Sequence, residues 1–140
     1  MSGFLLDTNC ISEIVSPRPS ESVLQWMEDA DENKLYLSVL TFGEIRIGLA
    51  KLPQGKRRAS LESWLEVQLK MRFAGRIIPI DEPVAQRWGL LAAEAVRKGK
   101  SLPVLDSLLA ATALLHNLTI VSRNVRNFKN TQVRVLNPWE

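Results

Sequence analysis

Short apolar runs that stop at polar residues alternate along this chain with longer segments whose apolar positions recur every three or four residues, and that alternation predicts an α/β protein with a parallel sheet. Phe4-Leu5-Leu6 is an uninterrupted run, as expected of a strand buried on both faces, and it ends at Asp7-Thr8-Asn9. A helix is predicted from Asp7 to about Val15, where Ser16-Pro17-Arg18-Pro19 breaks it. A second begins at Ser20 with Val23, Leu24, Trp26 and Met27 as its stripe, and gives way to the polar stretch from Asp29 to Lys34. Leu35-Tyr36-Leu37-Ser38-Val39 reads as the next strand, and Thr41-Phe42-Gly43-Glu44 starts a helix that Pro53-Gln54-Gly55 stops. Leu61, Trp64, Leu65 and Leu69 mark an amphipathic helix from Lys56 to about Phe73, forming an arm with the helix before it.

The remaining elements follow the same rules. Arg76-Ile77-Ile78-Pro79-Ile80 is a short strand whose proline assigns it to an edge or a strand end. Asp81 and Pro83 begin a helix carrying Val84, Trp88, Leu91 and Ala95, and Lys98-Gly99-Lys100 ends it. Another runs from near Pro103 to His116-Asn117, followed by a strand at Leu118-Thr119-Ile120-Val121 and a last one at Gln132-Val133-Arg134-Val135-Leu136.

A length of 140 residues suits one domain spanning the whole chain, and 46% hydrophobic with 24% charged residues is the composition of a folded globular protein. The lone Cys10 excludes a disulfide or a CxxC site and reads as a small buried residue. His116 is likewise the only histidine, which excludes a multi-histidine zinc site and leaves oxygen as the metal-binding element. No run approaches the roughly 18 apolar residues of a membrane span and no signal segment is evident, so a cytoplasmic location is expected. The net charge of +3 is a mild bias towards polyanionic partners.

Three carboxylates stand out against this scheme. Asp7 follows the first strand, Glu44 follows the second, and Asp106 lies among apolar residues near a helix start. Each also has a local alternative: Asp7 or Thr8 can cap a helix, Thr41 and Glu44 match a capping box, and Asp106 suits the positive end of a helix. In open α/β sheets, however, ligands bind at the carboxyl ends of the strands, and the strand ending at Val121 delivers Ser122 and Asn124 to that same edge. Carboxylates gathered there would repel one another unless a hard cation neutralised them, which points to Mg²⁺ or Mn²⁺.

Leu5-Leu6-Asp7-Thr8-Asn9, Thr41-Phe42-Gly43-Glu44-Ile45-Arg46, the run from Asp106 to Ala113 and Ser122-Arg123-Asn124-Val125-Arg126-Asn127-Phe128 together resemble the successive motifs of PIN-domain ribonucleases, with the VapC and FitB-type toxins as the nearest likeness. The likeness covers essentially the whole chain. It implies a three-layer α/β/α fold with a central parallel sheet and a helical arm. It also implies Mg²⁺- or Mn²⁺-dependent RNA cleavage, with Asp7, Glu44 and Asp106 as metal-holding catalytic residues and Asn124 at the fourth position, where the FitB-like branch often has aspartate. Ser122, Thr8, Arg46 and Arg123 would meet the substrate, Arg126 lies near the same motif, and a VapB-like antitoxin protein would be the partner. A homodimer is expected on the same resemblance and from the alanine-rich Asp106 helix with Trp64 and Trp88 taken as exposed. Two rival readings differ in class. A haloacid-dehalogenase-type phosphatase would want aspartate where Asn9 stands. A noncatalytic RNA-binding or scaffold module with a degenerate site would not cleave RNA at all.

Overall fold

Five strands, β1 (Phe4–Leu6), β2 (Leu35–Ser38), β3 (Ile77–Ile78), β4 (Thr119–Val121) and β5 (Val135–Leu136), pair in the order β3-β2-β1-β4-β5 in a computed structural model that describes residues 3–140. Every pairing is parallel, with Phe4 opposite both Leu35 and Thr119 and Leu6 opposite Val121. The least polar run is thus the central strand, which neighbours cover on both sides. From β1 the chain winds outward to β2 and β3 and then returns past β1 to β4 and β5. The winding reverses between β1 and β4, and at such a switch point the flanking loops part to leave a crevice beyond the strand ends.

The period of two along the strands divides the core into two layers. Leu6, Leu35, Leu37 and Val121 face a cluster with Cys10, Ile11, Val23, Met27, Ile45 and Leu49 from α1 (Thr8–Ile14), α2 (Glu21–Asp29) and α3 (Val39–Ala50). Leu5, Ile78 and Ile120 face Leu109, Ala110 and Ala113 of α7 (Val104–Leu115), with Leu91 of α6 (Glu82–Arg97) packed alongside. The three-layer expectation follows directly from these opposed clusters. Cys10 is fully buried, as expected, and burial pushes its thiol pKa far up. Among the described residues no helix is long and apolar enough to cross a membrane.

Several local expectations change. The second strand ends at Ser38, not Val39: the Ser38 side chain accepts a hydrogen bond from Leu40 N and caps α3, so Thr41 lies within the helix and cannot be its cap. The capping-box alternative for Glu44 therefore fails. The helix predicted from Lys56 is a continuous rod, α4 (Lys56–Ser63) passing through a π-helical stretch (Trp64–Leu69) into α5 (Lys70–Arg72). Its C-terminal half is anchored in the core by the buried Leu65, Leu69 and Phe73, while α4 has no fully buried residue and forms the helical arm with the end of α3. The last strand shrinks to Val135–Leu136, since Gln132 adopts a φ of 66° that no strand can hold. Gly99, with a φ of 71°, ends α6 where Lys100 N reaches back to Ala95 O.

The argument for a dimer from exposed tryptophans also fails. Trp64 is half-buried against the first core cluster, and Trp88 is half-buried with its indole N-H donating to Ser107 Oγ at 2.9 Å. Leu90 and Val96 on α6 are exposed at 69% and 71%, and Val104 and Leu105 at the start of α7 are exposed as well.

Candidate functional site

β1 ends inside the crevice and its next residue, Asp7, both caps α1 and opens into a cavity of about 470 Å³ lined by Asp7, Asn9, Ser12, Glu13, Glu44 and Asp106, with Thr8, Ser16 and Asn124 completing the wall. The capping role and the site role of Asp7 coexist because the two carboxylate oxygens are used differently. Oδ1 accepts from Thr8 N at 2.8 Å, and Oδ2 accepts from the Ser122 hydroxyl at 2.7 Å. Asp7 is only 6% exposed, and burial raises its pKa despite the opposing hydrogen bonds from Ser122 and Thr8.

Glu44 projects from α3 to the same cavity, where the Thr8 hydroxyl donates to its Oε1 at 2.5 Å. Thr41 Oγ1 lies 3.3 Å from that hydroxyl, so the threonine of the expected capping box supports the glutamate through Thr8 instead. Asp106 sits in the first turn of α7. Its pKa is raised by burial first and then by the negative charges of Asp7 and Glu44, against a hydrogen bond from the Asn127 side chain. Asp7 and Glu44 thus lie near enough to Asp106 for their charges to raise its pKa.

The donor chemistry suits a hard cation: the wall offers only oxygen and amide groups, includes four carboxylates and has no lysine or arginine. Yet among the described residues no three acidic, histidine or cysteine side chains stand together as a ready-made metal cage. Asp7, Glu44 and Asp106 share the cavity without closing into one coordination sphere, and Glu44 is held to Thr8. Mutual repulsion disfavours any tighter approach of uncompensated carboxylates.

The remaining expected site residues stand in and around this cavity. Ser122 is fully buried; besides donating to Asp7 it accepts from Asn9 Nδ2 at 3.2 Å and from Asn124 N at 3.0 Å, so it positions a carboxylate and has no face for substrate. Thr8 likewise holds Glu44, although it does line the cavity. Arg46 is outside the cavity wall and pairs with Glu66 and Glu62 of the rod, which ties α3 to its neighbour. Arg123 lies outside the cavity wall too, its guanidinium 5.7 Å from the centroid of the Trp139 ring. Asn124 is exposed at the cavity wall, where an aspartate would have added a charge.

Three contributors were not among the expected site residues, although Asn9 and Asn127 lie within the motif runs. Asn9 joins the two ends of the crevice, donating to Asp7 Oδ2 at 3.4 Å and accepting from Arg123 N at 3.4 Å. Glu13 lies one and a half turns along α1 and accepts from Ser20 N at 2.6 Å. Asn127 could be identified only from its contact with Asp106.

Comparison with known proteins agrees with this geometry. Residues 4–133 match the PIN domain family. The chain is 42% identical over 135 residues to Toxin FitB of Neisseria gonorrhoeae, an alignment covering 96% of this chain and 97% of that protein. It is 37% identical over 136 residues to VapC ribonuclease Y4jK of Sinorhizobium fredii, covering 97% of each. The crystal structure of FitAcB from Neisseria gonorrhoeae superposes with a TM-score of 0.92 at 41% identity, over 98% of this chain and 99% of that one.

Proposed function

Since this chain belongs to the PIN-domain family, we propose that it is the endoribonuclease toxin of a toxin–antitoxin pair and that it hydrolyses RNA at the carboxylate cavity with a divalent cation. The observation that carries this reading is the meeting of Asp7, Glu44 and Asp106, each from a different element, in a crevice with no internal cation. Asp7, Glu44 and Asp106 would hold the ion, and their oxygen-only donor set favours Mg²⁺ or Mn²⁺. A divalent cation, when bound, supplies positive charge that draws electrons from the phosphodiester and acidifies water. The chain's own residues set the stage for that charge. Ser122 and Asn9 hold the buried Asp7 carboxylate, Thr8 turns Glu44, and Asn127 steadies Asp106. Asn124 brings a neutral amide to the wall, able to orient a polar group without adding charge.

The deciding experiment is cleavage of RNA by the purified protein. Strand scission that requires Mg²⁺ or Mn²⁺, stops with chelator and disappears in Asp7→Asn is the expected result. Metal-independent binding without scission would favour the noncatalytic module instead.

A second groove bears on the antitoxin. Between α1, α3 and the rod, a cavity of about 220 Å³ is lined by Val15, Ile45, Leu49, Leu52, Leu61 and Trp64 with Arg57 at its wall, and it shares Ser12, Ser16 and Glu44 with the carboxylate cavity. An apolar segment of the antitoxin seated there would place a following basic side chain beside the carboxylates, where a guanidinium is favoured. Gly48 lies on the groove wall with nothing within 4 Å of where a Cβ would stand. Gly48→Leu is therefore expected to fill the groove and weaken antitoxin binding at least tenfold while leaving RNA cleavage intact. A pull-down and cleavage assay run together check this; unchanged affinity would place the antitoxin elsewhere. Homodimerisation through the open apolar side chains of α6, Leu90 and Val96, belongs to the same proposal.

A further inference from the structure

An acid-free cationic segment adjoins the carboxylate cavity. Residues 107–139 contain Arg123, Arg126, Lys129 and Arg134 and no aspartate or glutamate, whereas the rest of the chain has fourteen lysines and arginines against fifteen acids. Residues 45–61 form a second acid-free stretch, with Arg46, Lys51, Lys56, Arg57 and Arg58, but Arg46 and Arg58 there are paired with Glu62 and Glu66. Arg123, Arg126, Lys129 and Arg134 are all exposed, and every side-chain ion pair among the described residues lies before residue 99.

Their placement is tied to the carboxylate cavity. The 3₁₀ turn Val125–Phe128 begins directly after Asn124, which lines the cavity, and Asn127 within it hydrogen-bonds Asp106. Three residues per 3₁₀ turn put Arg126 and Lys129 on one side, and Lys129 N closes onto Arg126 O at 3.3 Å. The turn is anchored from beneath, because Phe128 is buried and its carbonyl accepts from the Thr131 hydroxyl at 2.6 Å. Next to it, Arg123 is laid against the Trp139 ring.

A polyanion approaching four cavity carboxylates is repelled everywhere except at the phosphate being attacked, so binding requires cations for the phosphates that flank it. We propose that Arg126 and Lys129, with Arg123 on its Trp139 platform beside them, form the track for the RNA backbone next to the cleaved phosphate. This rests on the RNA-cleaving reading above. Arg126 and Lys129 each take one phosphate. The track carries no base-reading group, so it contributes affinity and register independent of sequence.

The test measures binding of a short single-stranded RNA to the full chain carrying Asp106→Asn, followed by fluorescence anisotropy from about 50 to 200 mM salt. Adding Arg126→Gln and Lys129→Gln together is expected to lower the salt slope of log affinity by about 1.4, at about 0.7 per lost phosphate contact on single strands. In the otherwise unaltered enzyme the same pair should raise KM about tenfold with kcat unchanged. Lys51→Gln with Lys56→Gln, which flank the turn between α3 and α4 and line neither cavity, removes equal charge and should leave the slope as it was. An unmoved slope in the Arg126 and Lys129 pair, or an equal drop in the control, overturns the track while leaving the nuclease reading intact. If the unaltered protein neither cleaves nor binds RNA, the functional reading falls and the track falls with it.

Discussion

Asp106→Asn is expected to abolish RNA cleavage and, at neutral pH, to raise the melting temperature of the protein. The carboxylate is needed to hold a divalent cation, whose electrostatic contribution is several kcal/mol, so its loss should slow cleavage by about a hundredfold or more. In the folded chain the same charge is unfavourable. Burial and the charges of Asp7 and Glu44 raise the Asp106 pKa above its ordinary value of 3.8, and the neutral amide removes both terms while keeping a group that Asn127 can pair with. Relief of such functional strain typically stabilises by about 0.5–2 kcal/mol, a few degrees for a chain of this size.

The pH dependence has a definite sign. A carboxyl group whose pKa is raised by folding binds its proton more tightly in the folded state, so its unfavourable contribution is absent in strong acid. It appears as pH rises from the ordinary carboxylate value through the raised one. The stability difference between Asp106→Asn and the unaltered chain should therefore be largest at neutral pH and vanish towards pH 3.8. Calorimetry without added metal across that range checks this. A variant less stable than the parent at pH 7 would mean that Asp106 is a structural helix-start residue and not a strained site carboxylate.

Ser122→Ala should do the reverse for stability while also damaging activity. Its hydroxyl lies fully buried between Asp7 Oδ2, Asn9 Nδ2 and Asn124 N. Without it the buried Asp7 carboxylate loses its shortest hydrogen bond, keeping Thr8 N and Asn9 Nδ2, and Asn124 N loses its acceptor; each buried polar group left unpaired costs roughly 1–3 kcal/mol. The Asp7 pKa, already raised by burial, should climb further because the hydrogen bond that opposed the shift is gone. Cleavage should fall about 10- to 100-fold, as when a partner that orients a metal ligand is removed. The acid limb of the rate profile should move to higher pH. A urea midpoint and pH profile equal to those of the unaltered protein would show that Ser122 does not govern Asp7.

The amino-acid pattern alone determined what depends on neighbours a few positions away. Phe4 to Leu6 reads as a strand buried on both faces; Asp81 and Ser20 cap the helices that follow them, and Pro79 ends an edge strand. The positions of Asp7 and Glu44 beyond two strands were legible on the same basis, because a strand end and a change of period are local events. What each side chain does was not. Thr8 meets Glu44 across 36 residues and Ser122 meets Asp7 across 115, contacts that exist only because the sheet order sets β1 between β2 and β4. Strand order decided that Glu44 faces the cavity, that Ser122 is buried beneath it and that Glu13 joins it. Packing of the rod onto the sheet took Arg46 into ion pairs and covered half of Trp64. Periodicity specifies which face of an element is apolar, but the identity of the element that covers it is a property of the three-dimensional arrangement, and side-chain hydrogen bonds and charge fields follow that arrangement.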